Sequence, residues 1–330
     1  MGKLELSAAI RRNPRSLPLV TGEVQPQGIE LRVSVLEPSE LYWRALAFED
    51  FAIADISFSS LMASYGHGID HWVPLPVSMQ RNFFHTGVIV REAAGIKGPA
   101  DLAGKRVGVP EYQQTGALWT RGIYQHEFGL DPRDVHWFME RPPEKSHGGA
   151  MGFDPPEGID LQYIGRDTDI GVMLRDGELD AAIMYNTSRN LVDRSTIEFG
   201  PDSGVGPLFN KREESARYFK KTGFFPMNAV LCVRREIVEA HPWVMLNLYS
   251  ACLEAKEVAR RNARGDLDNL LEAGVATKET QAALDFDLYP YGVIANRELL
   301  ETATTYSFEQ GLVPRKFELG ELFYPPTLEL

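Results

Sequence analysis

The chain has 330 residues, 44% of them hydrophobic, and a formal net charge of −12. That length suffices for two domains with real cores, and the acidic balance argues against nucleic acid and anionic membranes, both of which attract basic faces. No apolar run approaches the roughly 18 residues of a membrane span. The start, Met1-Gly-Lys-Leu-Glu-Leu-Ser-Ala-Ala-Ile-Arg-Arg, lacks the apolar core and cleavage site of a secretory signal, so a cytoplasmic protein is expected. Cys232 and Cys252 lie in apolar segments and read as reduced, buried thiols.

In chain order, residues 4–10 and 28–35 alternate as strands, separated by the polar loop Arg11-Arg-Asn-Pro-Arg-Ser-Leu-Pro18. Residues 38–49 have helical spacing, with Leu41, Ala45 and Phe48 on one face. Residues 52–56 read as a buried strand, and Ser57-Phe-Ser-Ser60 opens the helix behind it. Residues 87–91 form a short apolar strand, with 229–233 as its expected antiparallel companion. The strand 106–109 feeds, through a polar loop, a helix that opens near Thr115 and Gly116. Such a junction suits an anion, because the first helical N–H groups have no intrahelical partner and the dipole is positive there. The Pro- and Gly-rich stretch 141–159 is a long loop, functional or mobile. A short helix ends at a Gly177 cap before a strand at 181–185. Helices at 242–262 and 297–310, the second capped by Gly311, complete the pattern.

Asp101-Leu-Ala-Gly-Lys-Arg-Val-Gly-Val109 and Leu174-Arg-Asp-Gly-Glu-Leu-Asp-Ala-Ala-Ile183 resemble the second lobe of the type II periplasmic-binding-protein fold. Phe51-Ala-Ile-Ala-Asp-Ile-Ser-Phe-Ser-Ser60, Gln80-Arg-Asn-Phe-Phe-His85, Thr222-Gly-Phe-Phe-Pro-Met-Asn228, His241-Pro-Trp243, Tyr289-Pro-Tyr-Gly292, Glu309-Gln-Gly-Leu312 and Glu321-Leu-Phe323 resemble the 4,5-dihydroxyphthalate decarboxylase family. The match runs in order over nearly the whole chain. It implies an α/β, two-lobed fold with a cleft between lobes and a hinge of two crossing strands. One lobe would comprise 1–85 and 235–330, with 86–234 inserted as the other. It also implies decarboxylation of a dihydroxylated aromatic dicarboxylate to the monocarboxylate, by ring protonation and CO2 loss. No organic cofactor is required, and a divalent metal stands as an alternative. The expected partner is the small aromatic carboxylate itself, with no nucleic acid or membrane. The apolar tail Phe323-Tyr-Pro-Pro326 leaves room for a homo-oligomer. Two rivals use the same cleft: a non-enzymatic binding protein for an aromatic or carboxylate solute, and another enzyme acting on a hydroxylated aromatic acid.

Within this frame His85 and Arg81, four residues apart, lead the candidate site. A guanidinium grips a carboxylate in bidentate fashion, and an imidazole moves a proton near neutral pH. Taken without the resemblance, a surface arginine and a core-satisfied histidine are the favoured reading, and the resemblance turns the balance to function. Arg11, beside Arg12 and Arg15, follows the first strand at the edge where α/β sheets hold ligands. Ser57 and Ser59, with Ser60, occupy the same kind of edge, and helix capping accounts for one of them as well. Glu111, Tyr112, Gln113, Thr115 and Gly116 line the loop before the anion-site helix. Glu111 reads as a base for a phenol or as a helix N-terminal charge. Asn186 and Arg189 follow a strand end, and Asn228 sits at the second crossing. Members of the resembled family commonly carry a histidine in or beside that position, where Ala229 follows Asn228 here. This departure leaves the acid–base group and the substrate open. His67 and His71 have metal-pair spacing, but Gly66, Gly68 and Pro74 argue against a helix there. His147, in Ser146-His-Gly-Gly149, reads as a lid residue, and His126, His136 and His241 as structural. No dinucleotide, Walker or nucleophile-elbow motif is present.

Overall fold

The computed structural model describes residues 2–188 and 190–330 and divides its strands between two sheets. The first contains β1 (Leu4–Ile10), β2 (Ile29–Val35), β3 (Ile53–Ser57), β4 (Trp72–Pro74) and β11 (Ala229–Arg234), in the order β2-β1-β3-β11-β4. The second contains β5 (Ile89–Arg91), β6 (Arg106–Val109), β7 (His136–Met139), β8 (Asp160–Tyr163), β9 (Ala181–Ala182) and β10 (Val205–Pro207), in the order β10-β5-β9-β6-β7-β8. β1 runs parallel to β2 from Leu4 opposite Ile29 to Ile10 opposite Val35, and parallel to β3. Alternation along β1 sends Leu6, Ala8 and Ile10 into one core and Ala9 into the other. The first of these cores is closed by the Trp243–Glu272 helix, whose Met245, Leu248, Cys252, Ala255 and Val258 recur at helical spacing. This is the expected two-lobed α/β architecture.

The hinge lies slightly upstream of where the apolar strands place it. β5 and β11 are not companions. β11 is buried along 229–233 and fits between β3 and β4 in the first sheet, whereas β5 pairs with β9 and β10 in the second. The chain therefore re-enters the first sheet at Ala229, ahead of the expected boundary at 234. The crossing strands are the adjoining segments 80–82 and 226–228. Arg81 and Met227 form an antiparallel bridge, the Asn82 N–H donates to Pro226 O (3.0 Å), and the Asn228 N–H donates to Gln80 O (3.0 Å).

Other departures have local causes. Residues expected as loop wind into a Leu17–Thr21 helix, helped by a proline in its first turn. The long helix continues to Glu272 instead of stopping at Asn262. A Lys211–Thr222 helix was not expected, although its ends carry ordinary signals. Asn210 caps two N–H groups, Glu213 and Glu214 stand in the first turn, and Lys220 and Lys221 in the last. Near the C-terminus, the Arg297–Glu309 helix straps across to the Thr115–Phe128 helix of the second lobe. The Arg121 Nε–H donates to Gln310 Oε1 (2.9 Å), and Gln310 Nε2 donates to Leu118 O (3.0 Å). Tyr306 packs edge-on to Trp119, and a Cβ at Gly122 would lie 2.1 Å from the Tyr306 ring, so only glycine allows this approach. Phe323 of the apolar tail is buried near Phe58 of its own chain. Among the described residues, no helix is long and apolar enough to cross a membrane.

β3 also carries a buried carboxyl, Asp55, whose Oδ1 has no hydrogen-bond partner. Burial pushes it up from 3.8 to about 7, against the opposing pull of Arg11. The folded state thus holds this proton more tightly than the unfolded chain. The stability it contributes is complete below about pH 4 and is lost as pH rises through about 7. Asp55→Asn should therefore raise the urea midpoint clearly at pH 8 and hardly at pH 4. Equal midpoint shifts at both pH values would show that Asp55 does not titrate in this range.

Candidate functional site

A cavity of about 260 Å³ opens where the two lobes face each other, beside the crossing segments. Arg11, the residue after β1, lines it. Among the described residues no carboxylate or carbonyl oxygen holds its guanidinium, so its charge is available to a ligand. Ser57, at the end of β3, lies beside it, as do Tyr42, Gln80, Gln114 and Asn228. Asn228 Nδ2 donates to Tyr42 Oη (3.2 Å) and to Gln80 Oε1 (3.3 Å), which fixes one polar wall. Burial drives the Tyr42 hydroxyl well above its ordinary pKa, so it stays protonated.

Arg141 and His147 adjoin this wall, the His147 ring lying edge-on to Tyr42 at 5.9 Å between centres, and both converge on Glu111 behind the cavity lining. Glu111 is fully buried, and every neighbour that reaches its carboxylate is a donor. Arg141 Nη1 lies at 2.8 Å and Ser146 Oγ at 2.9 Å. The N–H groups of Gly148 and His147 donate at 3.2 and 3.3 Å, and the Gln113 amide also donates. Burial alone would raise this carboxyl, but the adjacent His147, then the charge of the Arg141 guanidinium and the hydrogen bonds from Arg141 and Ser146, outweigh it and lower the pKa of Glu111, which is ionised. The remaining capacity of Arg141 goes to Asp193 and Ser39, so its charge is spent within the wall. His147 Nε2 faces Glu111 Oε1 at 3.3 Å, and Nδ1 faces Ser60 Oγ at 2.7 Å. Burial pushes the imidazole down to about 4, against the pull of Glu111, so it is neutral at physiological pH.

Several candidates from the sequence meet here: Arg11, Ser57, Asn186 and Asn228 line the cavity, and Asn186 Nδ2 donates to Asp193 Oδ2 (2.8 Å). Thr115 lies one layer back, with Oγ1 2.8 Å from Ser57 Oγ while accepting the Ser59 N–H (3.0 Å). Ser59 is buried, and its hydroxyl donates to Gln113 O. Gly116 packs under Met184 and Phe84. Glu111 and Gln113 belong to the buried network behind the wall. Tyr112 points into the second lobe, under the Arg121 guanidinium at 3.7 Å from the ring centre. Arg189 lies outside the described residues.

His85 and Arg81 stand elsewhere. A 3-10 turn at Phe84–Thr86 rotates His85 away from the cavity, which Phe84 and Gly87 line instead. The His85 ring is sealed against Tyr218, with Nε2 3.2 Å from Glu214 Oε1, and burial pushes it down to about 4. Arg81 is nine-tenths buried and clamps the hinge, donating to Phe225 O (3.2 Å), Pro290 O (2.9 Å) and Asn296 Oδ1 (2.6 Å). His67 ends a helix, and His71 pairs with Glu49. Among the described residues, no group of three or more His, Cys, Asp or Glu side chains gathers as a metal site would. Sequence reading passed over Arg141, Tyr42, Gln80 and Gln114, and took His147 for a lid residue. The available signal was glycine density after His147, since Gly149 lets the loop fold tightly back on Pro143.

No family model matches the sequence. The chain is 30% identical over 341 residues to 4,5-dihydroxyphthalate decarboxylase of Comamonas testosteroni, a match covering 100% of this chain and 99% of that one. It is 35% identical over 183 residues to the protein of the same name from Pseudomonas putida, covering 56% of this chain and 71% of that one. The solved structure of the alkanesulfonate-binding protein SsuA from Xanthomonas axonopodis pv. citri, bound to MOPS, matches with a TM-score of 0.55 at 12% identity. That match covers 98% of this chain and 99% of that one, and it shows the shared two-lobed binding-protein-like fold.

Proposed function

The chain belongs to the 4,5-dihydroxyphthalate decarboxylase family, and we propose that its cleft removes one carboxylate from a dihydroxylated aromatic dicarboxylate of that kind. One observation carries this reading: a single cavity is lined by an uncommitted guanidinium, Arg11, and by a neutral imidazole, His147, that is backed by an ionised carboxylate. Arg11 holds a carboxylate of the substrate. The amides of Gln80, Gln114, Asn186 and Asn228 suit its hydroxyls. The hydroxyl para to the departing carboxylate loses its proton toward His147, and the phenolate pushes electron density to the ring carbon that bears the carboxylate. That carbon takes a proton within the cavity, where Tyr42 Oη is a protonated O–H donor. The ring carbon–carboxylate bond then breaks, its electron pair restores the aromatic ring, and CO2 leaves. His147 replaces His85 as the acid–base group because His85 does not line the cavity.

The test is turnover of 4,5-dihydroxyphthalate by the metal-stripped protein, followed as CO2 and monocarboxylate. Arg11→Gln should lower kcat/KM by roughly 10–100-fold, the scale of a lost hydrogen bond to a charged group. Substrate bound but returned unchanged, even after divalent ions are restored, would favour a solute-binding role. Activity that returns only with a divalent ion would establish the metal-assisted alternative.

A further inference from the structure

The two faces of the crossing segment 80–82 look into different cavities. Gln80 and Asn82 line the cleft, whereas Arg81 lines a larger cavity of about 590 Å³ behind the hinge. Four phenylalanines, Phe219, Phe224, Phe225 and Phe286, line that second cavity as well. Phe286 and Ile294 are 62% and 56% exposed at its rim, so the apolar surface is open to solvent. Arg81 is nine-tenths buried, and every acceptor it has found is uncharged. Nη1 donates to Phe225 O, and Nη2 donates to Pro290 O and Asn296 Oδ1. The Nε–H has no partner, and Nη1 keeps a second hydrogen. A buried cation without a counter-charge is costly, and an anion that reaches it offsets part of that cost.

The carboxylates around the cavity do not supply that charge. Asp287 pairs with Lys256 at 2.8 Å, and Glu298 is exposed. Arg297 at the same rim adds a second cation, with its nearest carboxylate, Glu301, at 3.8 Å. We infer that the cavity behind the hinge is a second binding site, for a small one-ring aromatic carboxylate, with the carboxylate on Arg81 and the ring among the phenylalanines. Aromatic side chains accept another ring by offset stacking or edge contacts, and a guanidinium suits a planar carboxylate. The volume lies within the roughly 300–1,000 Å³ of small-molecule pockets. Inorganic phosphate would meet the cation and leave the rings unused, and a neutral arene would meet the rings and leave the cation unpaired. The site does not depend on the reaction proposed for the cleft.

The probe is benzoate, titrated calorimetrically into Arg11→Gln protein, so that the cleft lacks its free guanidinium. One benzoate per chain should bind, with a Kd of about 1 mM or tighter. Benzyl alcohol and inorganic phosphate should each bind at least about tenfold more weakly, the scale of a lost hydrogen bond to a charged group. Phe286→Glu, added at an exposed position, should weaken benzoate by at least about tenfold by placing a like charge at the rim and removing a ring. Arg81→Met should abolish binding, with the urea midpoint showing that the variant is folded. Where the hinge does not tolerate that change, Phe286→Glu decides alone. Benzoate that fails to bind Arg11→Gln protein, or whose affinity Phe286→Glu leaves unchanged, overturns the second site. Benzoate binding that survives Arg11→Gln and is lost with Phe286→Glu establishes it, whether or not the cleft releases CO2.

Discussion

Glu111→Gln is expected to destabilise the fold by about 3–5 kcal/mol, as breaking a buried ion pair does, and to cut turnover at least about 10²-fold. The substitution preserves shape but reverses the local logic. Arg141, Ser146, Gln113 and the N–H groups of His147 and Gly148 all point donors at this side chain. A glutamine would add two N–H donors to a shell made of donors and would leave the Arg141 charge with Asp193 as its remaining ion-pair partner. It would also remove the anion that stabilises protonated His147. Urea unfolding at neutral pH and kcat on the same preparation measure both effects. A stable, inactive variant would confine Glu111 to chemistry, and a destabilised but fully active one would confine it to structure.

Gly149→Ala should be the most damaging single methyl group near the site. Its Cβ would lie 1.9 Å from Pro143 O, a backbone atom that cannot swing aside. Overpacking of this kind costs typically about 1–3 kcal/mol, and relief requires the 146–149 turn to open. That turn carries Ser146, His147 and the Gly148 N–H, three of the groups around Glu111. A shift of about 1 Å in positioned groups can cost about 10²-fold in rate, so kcat should fall further than the thermal midpoint suggests. Unchanged kcat in this variant would mean that the turn does not position His147.

Much of the fold was legible because its signals are local. The Thr115–Phe128 helix follows a strand and a polar loop, Gly177 takes a left-handed cap, and the apolar alternation of β1 and β2 marks their faces. Pairing was less legible. β5 and β11 are both short and apolar, and nothing within either segment says which strand lies beside it. The site divided in the same way. Arg11, Ser57, Asn186 and Asn228 follow strand ends or a crossing, so general rules for α/β sheets point to them. His147 comes from an irregular loop and meets Ser60, 87 positions earlier, which no local pattern encodes. Arg81 and His85 misled for a related reason. Their spacing suggests a shared face, but the extended crossing segment and the turn after it send one into the hinge and the other beneath Tyr218.

The strap from the Arg297–Glu309 helix to the second lobe has a consequence for how the cleft works. A two-lobed binder that swings open and shut spends part of its ligand affinity on moving between populations. Here Gln310 bonds both Arg121 and Leu118, and Tyr306 seats against Trp119 over a glycine that admits no side chain. The lobes are riveted at the side as well as hinged at the crossing. Their relative orientation was settled when the chain folded, and the ordering cost was met by core packing. Arg11 and His147 thus line one cavity before any substrate arrives, and binding energy is left for the bond that breaks.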